Sequence, residues 1–128
     1  MARFFFFLCL LPLLFVGCSN KPKMVSVSGK VTLDGKPLPE GEIIFASPGL
    51  VPETLPIKDG KYEGKVQVGN KRVEIAAYRD GPRQFMGTQD MGPSRENYIP
   101  ARYNVNSTLK AEVSDSGPKE FDFAVTSR

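Results

Sequence analysis

The side chains that could carry chemistry are few, and their types exclude several classes of function. The 128 residues include no histidine and no tryptophan. This excludes Ser-His-Asp, Cys-His and His-ligated zinc sites, and removes the commonest general base at neutral pH. The formal net charge is only +3, and the basic residues are dispersed among acidic ones, so we expect no nucleic-acid partner. The composition predicts a protein that is not an enzyme.

Four aspartates in or beside glycine-containing turns are the remaining candidates for metal ligands. A calcium site needs about six to eight converging oxygen atoms, whereas these aspartates are scattered and match no EF-hand spacing. Turn formation is therefore the favoured interpretation, with calcium as the alternative, and we expect no metal site and no cofactor. The four residues are Asp34, Asp59, Asp80 and Asp115.

Cys18 is the side chain whose flanking sequence predicts a specific modification. A basic start, Met1-Ala2-Arg3, precedes thirteen residues, 4–16, that are apolar apart from Pro12. This pattern is typical of a secretory signal peptide. Thirteen helical residues reach about 20 Å, short of the ~30 Å hydrocarbon core of a bilayer. A permanent membrane span is therefore not expected.

The stretch Leu14-Phe15-Val16-Gly17-Cys18 resembles a bacterial lipobox. The resemblance implies that Cys18 carries a diacylglycerol and becomes the first residue of the mature chain. The protein would then be exported and anchored by lipid to a bacterial membrane, facing the periplasm or the cell surface. The alternative is an ordinary signal peptide that leaves Cys18 as a free or intermolecularly bonded thiol, because Cys9 is removed. The predicted organisation is a lipoprotein signal peptide over 1–17, the lipidated cysteine and a tether over 18–23, and one domain over 24–128.

Alternation of apolar and polar side chains predicts that the domain is built from β-strands. Gly29 takes an inward position of the first run, which marks a bulge or the close approach of another backbone. The alternation over Lys71 to Arg79 predicts the clearest central strand. Pro56 is expected to place its strand at a sheet edge. The predicted core is Val25, Val27, Val31, Leu33, Ile43, Phe45, Val73, Ile75, Leu109, Phe121 and Phe123.

Turn signals and the number of alternating runs together predict the architecture. Asp34-Gly35 and Asp59-Gly60 are each typical of a two-residue hairpin turn. About seven short runs alternate, and none repeats with the 3.6-residue period of a helix. We therefore predict an all-β fold, an antiparallel immunoglobulin-like or transthyretin-like β-sandwich of about seven strands, with a small β-barrel as the alternative.

Two stretches resemble a known family. Residues 27–38, VSGKVTLDGKPL, are similar to the opening of carboxypeptidase regulatory-like, transthyretin-like domains, and residues 98–104, YIPARYN, resemble short planctomycete lipoproteins that carry this domain. The resemblance implies a β-sandwich but transfers no activity. A related sandwich family hydrolyses 5-hydroxyisourate with histidines and a Tyr-Arg-Gly-Ser tail. Both are missing here, so that activity is not expected.

The segment from Asp80 to Tyr103 has no clear period and predicts a long loop, a feature that is mostly functional or disordered in compact domains. Its large side chains are of the kinds enriched at recognition surfaces. The competing interpretation is that Tyr98, Ile99 and Tyr103 pack the segment onto the domain and that the arginines are solvated. The candidate binding residues are Arg83, Phe85, Met91, Arg95, Tyr98 and Arg102.

These observations favour a non-catalytic cell-envelope lipoprotein that serves as a binding or structural module. The expected partner is an envelope protein or a glycan, in addition to the membrane reached through the lipid on Cys18. Two alternatives remain: a carbohydrate-binding module, and an envelope enzyme that uses carboxylates or a Tyr/Arg pair. The absence of tryptophan favours a protein partner over a starch-type sugar platform.

Overall fold

The computed structural model describes Gly17 and residues 21–128. The predicted signal peptide apart from Gly17, and Cys18 itself, lie outside the described residues. The lipid and the cleavage position therefore stay predictions. Within the described part of the chain, no helix is long and apolar enough to cross a membrane.

Residues 21–128 form strands joined by short turns, with one turn of 3-10 helix at Ala101–Tyr103. The strands are β1 Met24–Leu33, β2 Lys36–Pro37, β3 Glu40–Ala46, β4 Glu53–Lys58, β5 Lys61–Gln67, β6 Gly69–Ala76, β7 Tyr78–Met86, β8 Gln89–Asn97, β9 Leu109–Val113 and β10 Phe123–Val125.

Eight of these strands form one curled sheet with the order β10-β1-β5-β4-β3-β6-β9, and β2 pairs with β1 outside this path. The pairings are antiparallel except that of β1 with β10, which is parallel. The remaining two strands, β7 and β8, form a separate antiparallel hairpin. The prediction of an all-β, mainly antiparallel fold is confirmed. The predicted count of about seven strands is wrong, because residues 21–128 hold ten.

Both predicted Asp-Gly turns are confirmed. Asp34 and Gly35 join β1 to β2, and Asp59 and Gly60 join β4 to β5. All four residues have positive φ, between 50° and 80°, as the two central positions of a type I′ turn require. Because this turn twists in the same sense as its flanking strands, it fixes the register of each hairpin.

The close approach predicted at Gly29 is also confirmed. A Cβ atom at this position would lie 1.9 Å from the carbonyl oxygen of Phe121 and 2.7 Å from the hydroxyl of Tyr62. That hydroxyl donates a hydrogen bond to the same carbonyl at 2.5 Å. Burial raises the pKa of Tyr62, and the negative charges of Asp122 and Glu120 raise it further. The segment that leads into β10 therefore occupies the space that a side chain on β1 would need.

The predicted core residues point toward the interior, but those near the ends of the strands are not fully buried. Seven of the eleven predicted residues are buried, and Leu33, Leu109, Phe121 and Phe123 are only partly buried against them. The core also contains residues that the prediction omitted, namely Leu38, Ile57, Tyr62, Val66, Ala77, Ile99, Ala111, Val113 and Val125.

The expectation that Pro56 places its strand at a sheet edge is wrong, because β4 lies between β3 and β5. However, β4 and β5 pair only at Lys58 and Lys61. Further along, the side chain of Leu55 lies over Gly64. A Cβ atom added to Gly64 would lie 2.3 Å from Cδ2 of Leu55. The ladder beside Pro56 is thus open toward β5, which explains why a residue without an N–H group is tolerated in an internal strand.

The segment from Asp80 to Tyr103 is not the irregular loop that the sequence predicts. Most of it belongs to the β7–β8 hairpin, which is followed by the 3-10 turn. The hairpin register shifts between Asp80 and Arg83 and again between Gln84 and Phe85. These irregularities break the period-two pattern, so the sequence of this segment does not predict strands.

Candidate functional site

The β7–β8 hairpin exposes an apolar tip. None of the residues in its two strands is buried, and the exposed fractions are 64% for Phe85, 71% for Met86 and 53% for Met91. Phe85 and Met86 pair with residues 90 and 89 beside a turn in which Gly87 has φ 64°. The three large apolar side chains lie within seven residues at the end of one hairpin, and we call them the apolar tip.

An ion pair holds the strands together next to the apolar tip. The Nε of Arg83 donates to Oδ2 of Asp90 at 3.0 Å, and the N–H of Gly92 donates to Oδ1 of the same carboxylate at 2.9 Å. These hydrogen bonds, that of Arg83 first, hold the pKa of Asp90 below its usual range. Arg83, one of the candidate binding residues, thus bonds within the hairpin.

Arginines stacked on tyrosines support the base of the hairpin. The guanidinium of Arg95 lies 5.0 Å from the ring centroid of Tyr78, and that of Arg79 lies 5.9 Å from the ring of Tyr98. Arg79 also pairs with Glu96, with 3.5 Å between Nε and Oε2. Such cation–π contacts add modest stability at exposed sites. The base is therefore held by contacts that need no buried core.

Tyr98 follows β8 directly and packs against the core, as the competing interpretation proposes. It is partly buried, and its N–H donates to the carbonyl oxygen of Ala77 at 2.9 Å. The side-chain oxygen of Asn97 accepts hydrogen bonds from the N–H groups of Ala77 and Ile99 at 3.2 and 3.1 Å, and Ile99 is buried. This junction fixes the point at which the hairpin leaves the curled sheet.

Arg102 does not belong to the hairpin surface. Its Nη2 donates to the carbonyl and the hydroxyl oxygen of Thr126 at 3.0 and 2.7 Å. The hydroxyl of Tyr103 accepts from the N–H of Thr126 at 3.2 Å, and hydrogen bonds, those with Thr126 foremost, lower the pKa of Tyr103. The N–H of Ser127 donates to Asp34 at 2.9 Å. These contacts attach residues 126 and 127 to the domain, and Arg102 bonds within the protein, outside the β7–β8 hairpin.

Two of the four aspartates singled out in the sequence bond to other protein groups through their side chains. Asp34 accepts from the N–H and hydroxyl of Ser127, which lowers its pKa, and Asp115 pairs with Lys23. Asp59 has left-handed φ within its turn. Within residues 21–128, no three acidic or cysteine side chains come close enough together to hold a metal ion.

A second surface, which the sequence reasoning missed, lies across β1, β5 and β4. Lys61 faces Lys30 in the β1–β5 ladder and faces Lys58 across the Asp59-Gly60 turn. The three lysines line a cleft of about 670 Å³ with Glu63 and Glu120, among others. We call it the lysine cleft. The lysines beside the turn are visible in the sequence, but the alignment with Lys30 follows only from the strand register.

Comparison of the chain with protein-family models, with curated proteins and with solved structures gives no match in any of the three. The similarity to carboxypeptidase regulatory-like planctomycete lipoproteins therefore stays a prediction.

Proposed function

We propose that this protein is a non-catalytic, lipid-anchored module of the cell envelope that binds a partner protein through the β7–β8 hairpin. The observation that carries the proposal is the apolar tip, formed by Phe85, Met86 and Met91 on a hairpin that buries none of its residues. Exposed apolar residues are normally scattered singly, whereas three large ones at the end of one hairpin favour an interaction surface.

The outer edges of the hairpin favour contact through side chains over strand addition. Pro82 and Pro93 lie within its two strands, and both register shifts lie in the same region. Prolines and bulges are devices that prevent an exposed edge from pairing with another chain. The partner we propose therefore receives the apolar tip in a pocket of its own.

The position of the tether supports an anchored module. The carbonyl oxygen of Lys23 accepts from the N–H of Val68 at 3.0 Å, where β5 ends and β6 is about to begin. The eight residues of β6 then extend about 23 Å to Ala76, next to the base of the hairpin. The point at which Lys23 enters the domain and the base of the hairpin thus lie at opposite ends of β6.

We further propose that the curled sheet is a β-sandwich related to carboxypeptidase regulatory-like domains. The curl of the sheet and the opening between β4 and β5 support it, because β1 and β5 can then face β3 and β6 across the core. The fold by itself implies no activity.

The hairpin proposal is tested with the full-length chain carrying Phe85→Ser, Met86→Ser and Met91→Ser together. Proteins crosslinked to the parent in intact cells are expected to be lost from this variant, while its melting temperature stays unchanged. The matched control carries Leu50→Ser, Val51→Ser and Val105→Ser, three apolar residues exposed elsewhere. Retention of the same partners by both variants would show that the proposal is wrong.

The anchor is tested by mass spectrometry of the mature N-terminus. We expect a diacylglycerol on Cys18, and we expect Cys18→Ala to leave an unprocessed or soluble product. A mature chain that begins at another residue and carries no lipid would contradict this part of the proposal.

A further inference from the structure

The lysine cleft places three like charges next to one another. Lys30, Lys61 and Lys58 lie side by side on three strands, in direct register. Residues directly opposite in an antiparallel pair have Cβ atoms about 4.5 to 5.5 Å apart, and like charges at this distance destabilise the sheet. A sequence that breaks a local rule in this way usually does so at a functional site.

The three ammonium groups have no partner within the described part of the chain. None of them lies within 4 Å of a carboxylate oxygen of residues 21–128, although Glu63 and Glu120 line the same cleft. Elsewhere in residues 21–128, the cations that form ion pairs are Lys23, Lys71, Arg72, Arg79 and Arg83.

The backbone beneath the lysines is held rigidly. The N–H groups of Asp59 and Gly60 donate to the carbonyls of residues 39 and 38 at 2.8 and 2.7 Å, and the carbonyl of Gly60 accepts from Val31 at 2.8 Å. The N–H of Lys30 donates to Oδ1 of Asp122 at 2.8 Å. The cleft is therefore formed before a ligand arrives, which lowers the entropic cost of binding.

We propose that the lysine cleft binds an anionic saccharide, a sugar that carries a carboxylate or sulfate group. The three lysines supply charge-assisted hydrogen bonds to the anionic group. Glu63, Glu120 and Ser28 on the same wall supply acceptors and a hydroxyl for the sugar hydroxyl groups. A volume of about 670 Å³ falls within the range of small-molecule sites, about 300 to 1,000 Å³.

The two glutamates decide the class of ligand. A polyanion with a phosphate at every unit would meet Glu63 and Glu120 as repelling charges. A saccharide instead places one anionic group at the lysines and neutral hydroxyls at the carboxylates. The site is separate from the apolar tip and does not depend on the function proposed for the hairpin.

The test is isothermal titration calorimetry on the full-length protein with trigalacturonic acid and with a heparin-derived tetrasaccharide. Maltotriose serves as the neutral sugar, and sodium sulfate as the anion without a sugar. Lys58→Gln/Lys61→Gln is expected to weaken binding of at least one acidic saccharide about tenfold or more. Lys36→Gln/Lys110→Gln removes the same charge from exposed positions outside the cleft and is expected to change it less than about twofold.

Folding of the variants is checked at the same time. The melting temperature of Lys58→Gln/Lys61→Gln should stay close to that of the parent, because both side chains are exposed and exposed charges contribute little to stability. Lys61→Arg keeps the charge and is expected to keep binding. The triple serine variant of the apolar tip is also expected to bind the saccharide, so a failure of the hairpin proposal leaves this one intact.

Several outcomes would overturn the inference. These are no binding of either acidic saccharide, an equal loss in both glutamine double variants, binding of maltotriose as tight as that of the acidic sugars, or binding of sulfate as tight as that of the saccharides.

Discussion

Strands β6 and β7 follow one another in the chain and differ in almost every physical respect. β6 has a neighbour on each side and buries Val73 and Ile75 completely. β7 pairs with β8 alone and buries none of its residues. The comparison shows one chain using the same backbone conformation twice, once to enclose a core and once to present side chains to solvent.

The hairpin needs its own means of stabilisation, because an isolated two-stranded hairpin is marginal in water. The Arg83–Asp90 pair and the stacking of Arg95 on Tyr78 supply them. In the curled sheet the same task falls to buried aliphatic and aromatic side chains. Substitutions in the sheet should therefore affect stability, and substitutions in the hairpin should affect recognition.

The largest expected effect is a difference in unfolding free energy between alanine substitutions of two phenylalanines. Phe45 is fully buried, so Phe45→Ala should lower the free energy of unfolding by about 3 to 5 kcal/mol. Phe85 is 64% exposed, so Phe85→Ala should change it by less than about 0.5 kcal/mol. Urea unfolding followed by circular dichroism measures both values. Similar losses in the two variants would remove the distinction between sheet and hairpin.

A smaller effect is expected from two glycines on paired strands. A Cβ at Gly29 meets the backbone carbonyl of Phe121, whereas a Cβ at Gly64 meets only the end of the Leu55 side chain. Because a side chain can rotate away and this carbonyl cannot, Gly29→Ala should cost about 1 to 3 kcal/mol and Gly64→Ala less. The same unfolding experiment checks the order. A greater loss for Gly64→Ala would show that the C-terminal segment is not fixed against β1.

The smallest effect is a response of the hairpin to acid. The pKa of Asp90 is lowered in the folded protein, so the stabilisation from its hydrogen bonds is present above its usual pKa of 3.8 and is lost as the pH falls through the lowered value. In an NMR titration, the amide of Gly92 should report a midpoint below pH 3.8. The amides of Val73 and Ile75 should stay unchanged. Asp90→Asn should abolish the Gly92 transition, and its persistence in that variant would contradict the assignment.

Much of the curled sheet could be predicted from the sequence because its signals are local. The Asp-Gly turns require positive φ, and the alternation around Val73 and Ile75 requires one buried face. The sequence indicates a close approach at Gly29. It does not identify Phe121 as the partner, because the contact joins distant parts of the chain. Leu38 was missed because it lies between two prolines, where no alternation is visible.

The hairpin could not be predicted for a different reason. With no buried face, β7 and β8 have no apolar period to detect, and their register shifts displace what alternation remains. The candidate binding residues are arginines and large apolar or aromatic residues, and Arg83, Phe85, Met91 and Arg95 of this set lie on the hairpin. Arg102 lies outside it and bonds to Thr126, a contact that depends on tertiary structure and leaves no signal in the sequence.

The parallel pairing of β1 with β10 has a consequence for biogenesis. Lys30 and Asp122, which are joined across this junction, are separated by 92 residues. One edge of β1 therefore stays uncovered until the end of the domain has been synthesised, and contacts this distant in sequence form slowly. A chain built in this way completes its curled sheet only after the last strand of the domain has been synthesised.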